Sequence, residues 1–130
     1  MGVVKVKEEN CPCESGQLYA KCCGTFHQGL AAKTAEQLMR SRYSAFVLNL
    51  HDYLLKTWHV STRPETLADE EPVRWLGLKI KDAQSDELHA EVEFIARYKI
   101  AGKAWKLHER SRFVFEDGCW YYIDGDILDS

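Results

Sequence analysis

The 130-residue sequence has neither a long hydrophobic run nor an excess of positive charge. No segment approaches the roughly 20 consecutive apolar residues that a membrane-spanning helix needs, and residues 1–10 lack the apolar stretch of a secretory signal. The formal net charge is −3 and the basic residues are spread along the chain, whereas a nucleic-acid-binding domain usually carries a basic excess. We therefore expect a cytoplasmic protein that does not enter a membrane, and nucleic acid is not among the partners we expect.

Proline is scarce, with three residues, and the chain has no internal repeat or low-complexity segment. Hydrophobic residues make up 45% of the sequence and aromatic residues 12%, which is enough for a packed core and excludes a disordered chain. The length fits one domain with a small appendage.

Cysteine is concentrated near the N-terminus, where Cys11-Pro12-Cys13 is followed after eight residues by Cys22-Cys23. The cytoplasm keeps thiols reduced, so a cluster of this kind indicates metal or redox chemistry rather than disulfides. Two thiol pairs on a short loop can close a tetrahedron around zinc, which takes four thiolates in structural sites, and Ser15-Gly16 allows the loop to turn tightly. Because so short a segment cannot bury enough surface to fold alone, the metal would supply its folding energy.

The sequence leaves alternatives open for these four thiols. They could form two disulfides or remain free and buried, or His27 could replace one cysteine as a ligand. The adjacent pair Cys22-Cys23 could also act as a redox sensor. We interpret Cys119, far along the chain, as a core residue rather than a ligand.

The hydrophobic pattern changes from helical to strand-like near the middle of the chain. Thr34 and Gln37 match a capping box, and apolar residues follow at helical spacing as far as Leu50, which predicts an amphipathic helix. A short helix is predicted over 51–58 and a loop over 61–72. Four strands are predicted by alternation and by turn residues at their ends, of which Asp117-Gly118 indicates a hairpin: Val73–Lys81, Leu88–Ile100, Trp105–Phe115 and Cys119–Ile123. Helices followed by an antiparallel meander indicate an α+β fold, with helices packed on one face of a curved sheet.

Polar residues interrupt the apolar face of the predicted sheet. Glu109 and Ser111 share a face with four apolar residues of their strand, and a buried carboxylate there needs a partner. On the last strand Tyr122 and Asp124 are in register by the same alternation. Arg42 lies on the core stripe of the long helix, within reach of Glu109, so one interpretation is a buried Arg42–Glu109 pair that bridges helix and sheet.

The other interpretation is a pocket in the concave face of the sheet. Glu109 would then be a general base, and His59 or a tyrosine would be its proton partner. The residues expected to line this pocket are Arg42, Tyr43, Trp58, His59, Glu109, Ser111 and Tyr122.

Two parts of the sequence resemble a known bacterial family. The runs Cys11–Gly16 and Lys21–Gly24, with Tyr19 between them, resemble the SEC-C zinc motif, which also ends the preprotein translocase ATPase SecA. The later segments are similar to the YchJ family, which joins SEC-C to a domain of the nuclear transport factor 2-like, cystatin-like fold: Leu38–Ala45, Thr57–His59, Leu107–Ser111 and Trp120–Tyr122. The match covers nearly the whole chain from Asn10.

The resemblance implies a SEC-C lobe over residues 1–30 and a nuclear transport factor 2-like domain over 31–130. It implies that zinc is held by Cys11, Cys13, Cys22 and Cys23. In SecA the motif is associated with protein partners, notably the chaperone SecB, which is an analogy for a shared module. Glu14 stands where the motif usually has Gly, and residues 17–20 lack the usual lysines. Both departures make the lobe less basic and argue against lipid or ribosomal RNA as its partner.

A site closed by four cysteines has no open coordination position, so its metal would be structural. We therefore favour a non-enzymatic zinc-binding protein that interacts with a protein partner. The alternative is a small-molecule-binding protein or an acid–base enzyme that uses the pocket around Glu109, and an open cavity in the structure would favour that alternative. Because the core pattern begins only at Ala35, we also expect the zinc lobe to fold locally and the rest of the domain to survive its loss.

Overall fold

The computed structural model describes residues 9–67 and 73–128, so residues 68–72 of the predicted loop lie outside the described residues. A short 3-10 helix over Tyr19–Lys21 comes first. The remaining elements are α1 (Cys23–His27), α2 (Ala35–Leu48), α3 (His51–Lys56), β1 (Arg74–Ser85), β2 (His89–Ile100), β3 (Lys103–Glu116) and β4 (Cys119–Ile127). This order confirms the predicted α+β class. No helix in the described residues is both long and apolar enough to cross a membrane.

Helix α2 begins at the predicted cap. The Thr34 hydroxyl accepts a hydrogen bond from the Gln37 backbone N–H at 3.1 Å. The Gln37 side chain accepts from the N–H of Lys33 at 2.8 Å, so the reciprocal bond of the capping box closes one residue earlier than the standard form. The helix ends at Leu48 and is followed by the C-cap residue Asn49, whose φ of 59° is left-handed, a conformation that asparagine tolerates well.

The four strands form one antiparallel sheet in the order β1-β2-β3-β4. The hairpins at Ala101-Gly102 and Asp117-Gly118 have positive φ at both turn residues, as two-residue type I′ turns require. Helix α2 packs against β1, β2 and β4. The inner face of β2 is buried as its alternation predicted, through Ala90, Val92, Phe94 and Ala96.

Bulges in both edge strands change the register that simple alternation predicts. Leu76 and Lys81 are the extra residues in β1, and Ile123 is the extra residue in β4. An extra residue reverses the facing of every side chain beyond it. The expectation that Asp124 shares a face with Tyr122 was therefore wrong: Asp124 lies on the outer face and accepts a hydrogen bond from Arg112 at 2.7 Å.

Candidate metal centre and cavity

The four N-terminal cysteines converge on one point. Their Sγ atoms all lie within 4.8 Å of one another, and those of Cys13 and Cys22 are 3.6 Å apart. A tetrahedral zinc–thiolate site has sulfur–sulfur edges of about 3.8 Å, given a Zn–S distance of about 2.3 Å. The donor set therefore fits a tetrahedral metal ion. All five cysteines are free thiols in the structure, so the two disulfides considered from the sequence are not formed.

Local hydrogen bonds fold the lobe around the thiols. The Cys11 N–H donates to the Gln17 carbonyl at 2.8 Å, which closes the loop between the two cysteine pairs. Gly16 is left-handed, with φ 86°, so the predicted tight turn at this position is present. The 3-10 helix and α1 meet at Cys22, whose carbonyl accepts from the Thr25 hydroxyl at 2.7 Å.

The cysteines lie in the main hydrophobic core. Cys11, Cys13 and Cys23 are 3%, 0% and 0% exposed and belong to the same cluster as the buried residues of α2 and the sheet. Cys22 is half-buried, and its sulfur lies 3.1 Å from the Ser15 hydroxyl. The lobe thus shares one core with the domain, a relationship that the helical pattern beginning at Ala35 did not reveal.

Polar contacts join the lobe to α2. Arg40 donates to the Cys13 carbonyl at 2.8 Å, and the Ser44 hydroxyl lies 3.5 Å from the Cys11 sulfur. His27 Nε2 donates to the Ser41 carbonyl at 2.8 Å, since that oxygen can only accept. Both ring nitrogens of His27 are occupied, because Nδ1 accepts from the Tyr19 hydroxyl at 2.6 Å.

His27 is accordingly not part of the sulfur cluster, and neither is Cys119, which is half-buried on β4. Within the cluster, contacts with Cys13 and Cys23 lower the pKa of Cys11. Contacts with Cys11 and Cys13, together with burial, raise the pKa of Cys23, and burial raises the pKa of Cys22. Without a bound cation, therefore, few of the four cysteines would be deprotonated. A cation would be needed to stabilise all four as thiolates.

A cavity of about 290 Å³ lies between α2 and the inner face of the sheet. Six of the seven pocket residues expected from the sequence line it: Arg42, Tyr43, Trp58, Glu109, Ser111 and Tyr122. Sequence reasoning did not assign its apolar walls, which are Met39, Phe46, Trp75, Phe94, Ala96 and Leu107. The alternation of β2 did place Phe94 and Ala96 on the inner face, and the small side chain of Ala96 was a signal that space remains there.

Arg42 is the buried cation of the cavity, 3% exposed. Its Nη1 donates to the Leu54 carbonyl at 2.8 Å and to the Thr57 hydroxyl at 2.7 Å. Its guanidinium carbon lies 5.2 Å and 4.6 Å from the ring centroids of Trp58 and Tyr122, a cation–π arrangement. Burial lowers the pKa of Arg42 to about 10, which leaves it charged at neutral pH.

The expected Arg42–Glu109 pair is not an ion pair. Among the described residues, no carboxylate lies within 4.0 Å of the Arg42 guanidinium. The reason is that Leu54 lies in the last turn of α3, where a carbonyl lacks a helical partner and accepts from Arg42 instead.

Glu109 faces the cavity, and its partner is the hydroxyl of Ser111, which donates to Oε2. The carboxylate lies over Gly125 of β4, where a Cβ would collide with it. The bulge at Ile123 brings this glycine opposite Ser111. Burial and the charge of Glu109 raise the pKa of Tyr122 to about 12, so its phenol remains protonated at neutral pH.

His59 does not line the cavity. Its backbone N–H donates to the Tyr122 carbonyl at 2.7 Å, which pairs this segment with β4 in a parallel bridge and turns the imidazole away from the cavity. The ring nitrogens contact Glu116 Oε2 at 2.9 Å and the Ser61 hydroxyl at 2.7 Å. The structure therefore does not bring together Glu109 and His59, the acid–base pair considered from the sequence.

The sulfur cluster and the helix-covered sheet correspond to two family models. The SEC-C motif matches residues 9–25, and the model described as YchJ, middle NTF2-like domain, matches residues 34–125. The chain is thus a SEC-C motif protein with a nuclear transport factor 2-like domain. It belongs to the YchJ family.

Relatives and solved structures agree with this assignment. The chain is 57% identical over 122 residues to a UPF0225 protein of Bordetella pertussis, covering 90% of this chain and 92% of the relative. It is 51% identical over 130 residues to a UPF0225 protein of Methylibium petroleiphilum, covering 96% and 95%. The solution structure of a SEC-C motif-containing protein from Rhodopseudomonas palustris is similar, with a TM-score of 0.82 and 35% identity over 93% of this chain and 100% of that one. A crystal structure of a SEC-C motif-containing protein from Psychrobacter arcticus has a TM-score of 0.69 and 30% identity, covering 92% and 83%.

Proposed function

We propose that this chain is a zinc-stabilised protein that binds a small molecule in the cavity between α2 and the sheet. The observation that carries the proposal is the open cavity itself, which the chain's own side chains leave unfilled beside a buried arginine. Ligand sites are typically concave and mostly apolar, with a few converging polar groups. Here those groups are Arg42, Glu109, Ser111 and Tyr122.

The zinc ion has a structural role in this proposal. Cys11, Cys13, Cys22 and Cys23 would hold it with four thiolates, which leaves no coordination position for a substrate. A reducing cytoplasm would keep these thiols available. The metal would hold the loop that packs on α2, the helix that forms one wall of the cavity.

Binding is favoured over acid–base catalysis by the separation of Glu109 from His59. The two tyrosines that remain as proton partners are poor acids. Burial and the charge of Glu14 raise the pKa of Tyr43 to about 12, and the pKa of Tyr122 is raised to about 12 as well. A general acid works best with a pKa near the operating pH.

The cavity proposal can be tested with indole, a neutral aromatic molecule, by protein-detected NMR titration. We expect indole to shift the signals of Ala96 and Leu107. Ala96→Leu, which adds volume inside the cavity, should abolish these shifts, whereas Ala104→Leu on the exposed outer surface of β3 should not. Equal indole binding by the two variants, with both still folded, would exclude the cavity as the site.

The metal proposal can be tested by elemental analysis of protein purified without chelator. We expect one zinc per chain, lost in Cys22→Ser and retained in the control Cys119→Ser. Protein that carries no zinc and has all its thiols free to react would contradict a zinc site at this cluster.

A second candidate function is interaction with a protein partner, the role first favoured from the sequence. The basic residues on one face of the sheet favour an acidic partner. Lys79, Lys81 and Arg97 line one groove of the sheet, and Lys106 lies opposite Arg97. Among the described residues, none of these four side chains forms an ion pair within 4.0 Å. Unpaired positive charge on an exposed sheet face complements an acidic surface.

A co-purified acidic protein should therefore be lost in Arg97→Glu and at high salt, yet retained in Lys56→Glu, which changes charge on α3 instead. A partner retained by Arg97→Glu would show that this face is not the interface.

A further inference from the structure

We infer that the cavity selects neutral, planar aromatic molecules that carry an amide-type group, such as a carboxamide or lactam, with a donor and an acceptor side by side. The inference rests on the proposed ligand-binding function and adds the chemical class of the ligand. The juxtaposition that carries it is a buried cation and a carboxylate that share one apolar cavity without pairing to each other.

The two charged groups each keep unused hydrogen-bonding capacity. Arg42 uses Nη1 for the Leu54 carbonyl and the Thr57 hydroxyl. Among the contacts of the described residues, its Nε and Nη2 make no hydrogen bond. Glu109 accepts from Ser111 through Oε2, and within the same residues its Oε1 accepts no hydrogen bond. The cavity lining thus includes donors of Arg42 and an acceptor of Glu109 that no described protein group uses.

Charge balance decides which ligand fits. Arg42 and Glu109 together contribute one positive and one negative charge to the cavity. A carboxylate ligand would add a second negative charge beside Glu109, and an amine would add a second positive charge beside Arg42. In a space of low dielectric constant either excess is costly. A neutral amide can accept from Arg42 and donate to Glu109, and it adds no charge.

The walls favour a flat aromatic body. Trp58 and Tyr122 meet edge to face, with centroids 5.1 Å apart. Tyr43 and Trp75 meet in the same manner, with centroids 5.6 Å apart. Aromatic rings of this kind pack well against a further planar ring. The volume of about 290 Å³ lies at the small end of ligand pockets, which run from roughly 300 Å³ upward.

The test compares four probes of nearly the same shape: benzamide, benzoate, benzylamine and toluene. Each is titrated into the full chain at neutral pH and followed by NMR shifts of cavity residues. We expect benzamide to bind at least about tenfold more tightly than the other three. The control variant Glu116→Gln, which alters the exposed partner of His59, should keep this order.

Glu109→Gln provides the sharper measurement. It preserves shape and hydrogen bonding but leaves the Arg42 charge unbalanced, so the preferred probe should change from benzamide to benzoate. A structural role for Glu109 would lower stability without changing the order of the probes. If Glu109→Gln is poorly folded, Arg42→Gln supplies a second measurement: it leaves the Glu109 charge unbalanced, so the preferred probe should change from benzamide to benzylamine.

The outcomes separate the two proposals. Benzoate, benzylamine or toluene binding most tightly to the unaltered chain would overturn the amide class and leave the ligand-binding function standing. An order that is the same in Glu109→Gln would also overturn the class. If neither indole nor any of the four probes shifts the cavity signals, both proposals fail.

Discussion

The carboxylate of Glu14 accepts a hydrogen bond from the backbone N–H of Leu78, with Oε2 and N 3.0 Å apart. This bond joins the cysteine loop to β1, an edge strand of the sheet. Glu14 also has a left-handed backbone, with φ 63°, which explains why the SEC-C motif usually has Gly at this position. Having Glu rather than Gly at position 14 therefore makes the left-handed backbone less favourable but adds a hydrogen bond to the sheet.

Two substitutions at Glu14 should separate these effects. Glu14→Ala removes the hydrogen bond and keeps the unfavourable φ, so we expect the free energy of unfolding to fall by about 1 to 3 kcal/mol. Glu14→Gly removes the same bond but also relieves the left-handed strain, worth about 1 kcal/mol. We therefore expect Glu14→Gly to be the milder change in urea unfolding.

Gly77, which precedes Leu78 in β1, provides the control for the hydrogen bond between Glu14 and Leu78. A Cβ at Gly77 would collide with Glu14 Oε2, so Gly77→Ala should destabilise the unaltered chain and cost less in a Glu14→Gly background. Additive effects of the two substitutions would show that the Glu14 carboxylate does not lie against β1.

Removal of the proposed zinc ion should destabilise the whole chain, contrary to the expectation from the sequence. Three of the four cysteines lie in the main core, and Arg40 and Glu14 connect the loop to α2 and β1. Because metal binding contributes folding free energy, we expect a chelator to lower the melting temperature measured at Phe113 and Trp120 as well as in the lobe. The variant Cys119→Ser, which leaves the cluster intact, should respond to chelation as the unaltered chain does. An unchanged melting temperature of the sheet after zinc loss would restore the view of an independent lobe.

Short-range signals were sufficient for much of the fold. Thr34 marked the start of α2 because a cap acts through its own backbone neighbours, and Asp117-Gly118 marked a hairpin for the same reason. The alternation in β3 placed Glu109 on the inner face correctly, since no bulge interrupts β3 before that residue. Local patterns of this kind depend only on residues a few positions apart.

What the sequence did not reveal depends on contacts between distant segments. The bulge at Ile123, which turns Asp124 outward, depends on pairing with β3 and on the space that Gly125 leaves for Glu109. The partner of Arg42 is a carbonyl at the end of α3, and a backbone acceptor has no signature in the side-chain pattern. The position of His59 follows from backbone pairing with Tyr122, which alternation within one segment cannot predict.

The partner of Glu109 can be checked by three substitutions. Glu109→Gln can still accept from the Ser111 hydroxyl, so we expect a loss of less than about 1 kcal/mol. Glu109→Leu leaves that hydroxyl without its acceptor, so a loss of about 1 to 3 kcal/mol is expected from chemical denaturation. In a Ser111→Ala background the cost of Glu109→Leu should shrink. The same cost in both backgrounds would show that Ser111 does not support the carboxylate.

The tyrosines should make the fold sensitive to alkaline pH. Burial, with the charge of Glu14, raises the pKa of Tyr43 to about 12, and burial, with the charge of Glu109, raises that of Tyr122 to about 12. In the unfolded chain both titrate near the ordinary value of 10.0. Their folded pKa values lie above their unfolded ones, so the stabilisation is complete below pH 10 and is lost as the pH rises towards 12.

Each tyrosine would then contribute roughly 2 to 3 kcal/mol that disappears over this interval. The measurement is the phenolate absorbance during an alkaline titration, compared with the free energy of unfolding at each pH. We expect Tyr122→Phe, which removes one of the two groups and keeps the ring against Arg42, to lose less stability between pH 10 and 12 than the unaltered chain. A variant with the same alkaline decline would show that the Tyr122 phenol is accessible to water and ionises as freely in the folded chain as in the unfolded one.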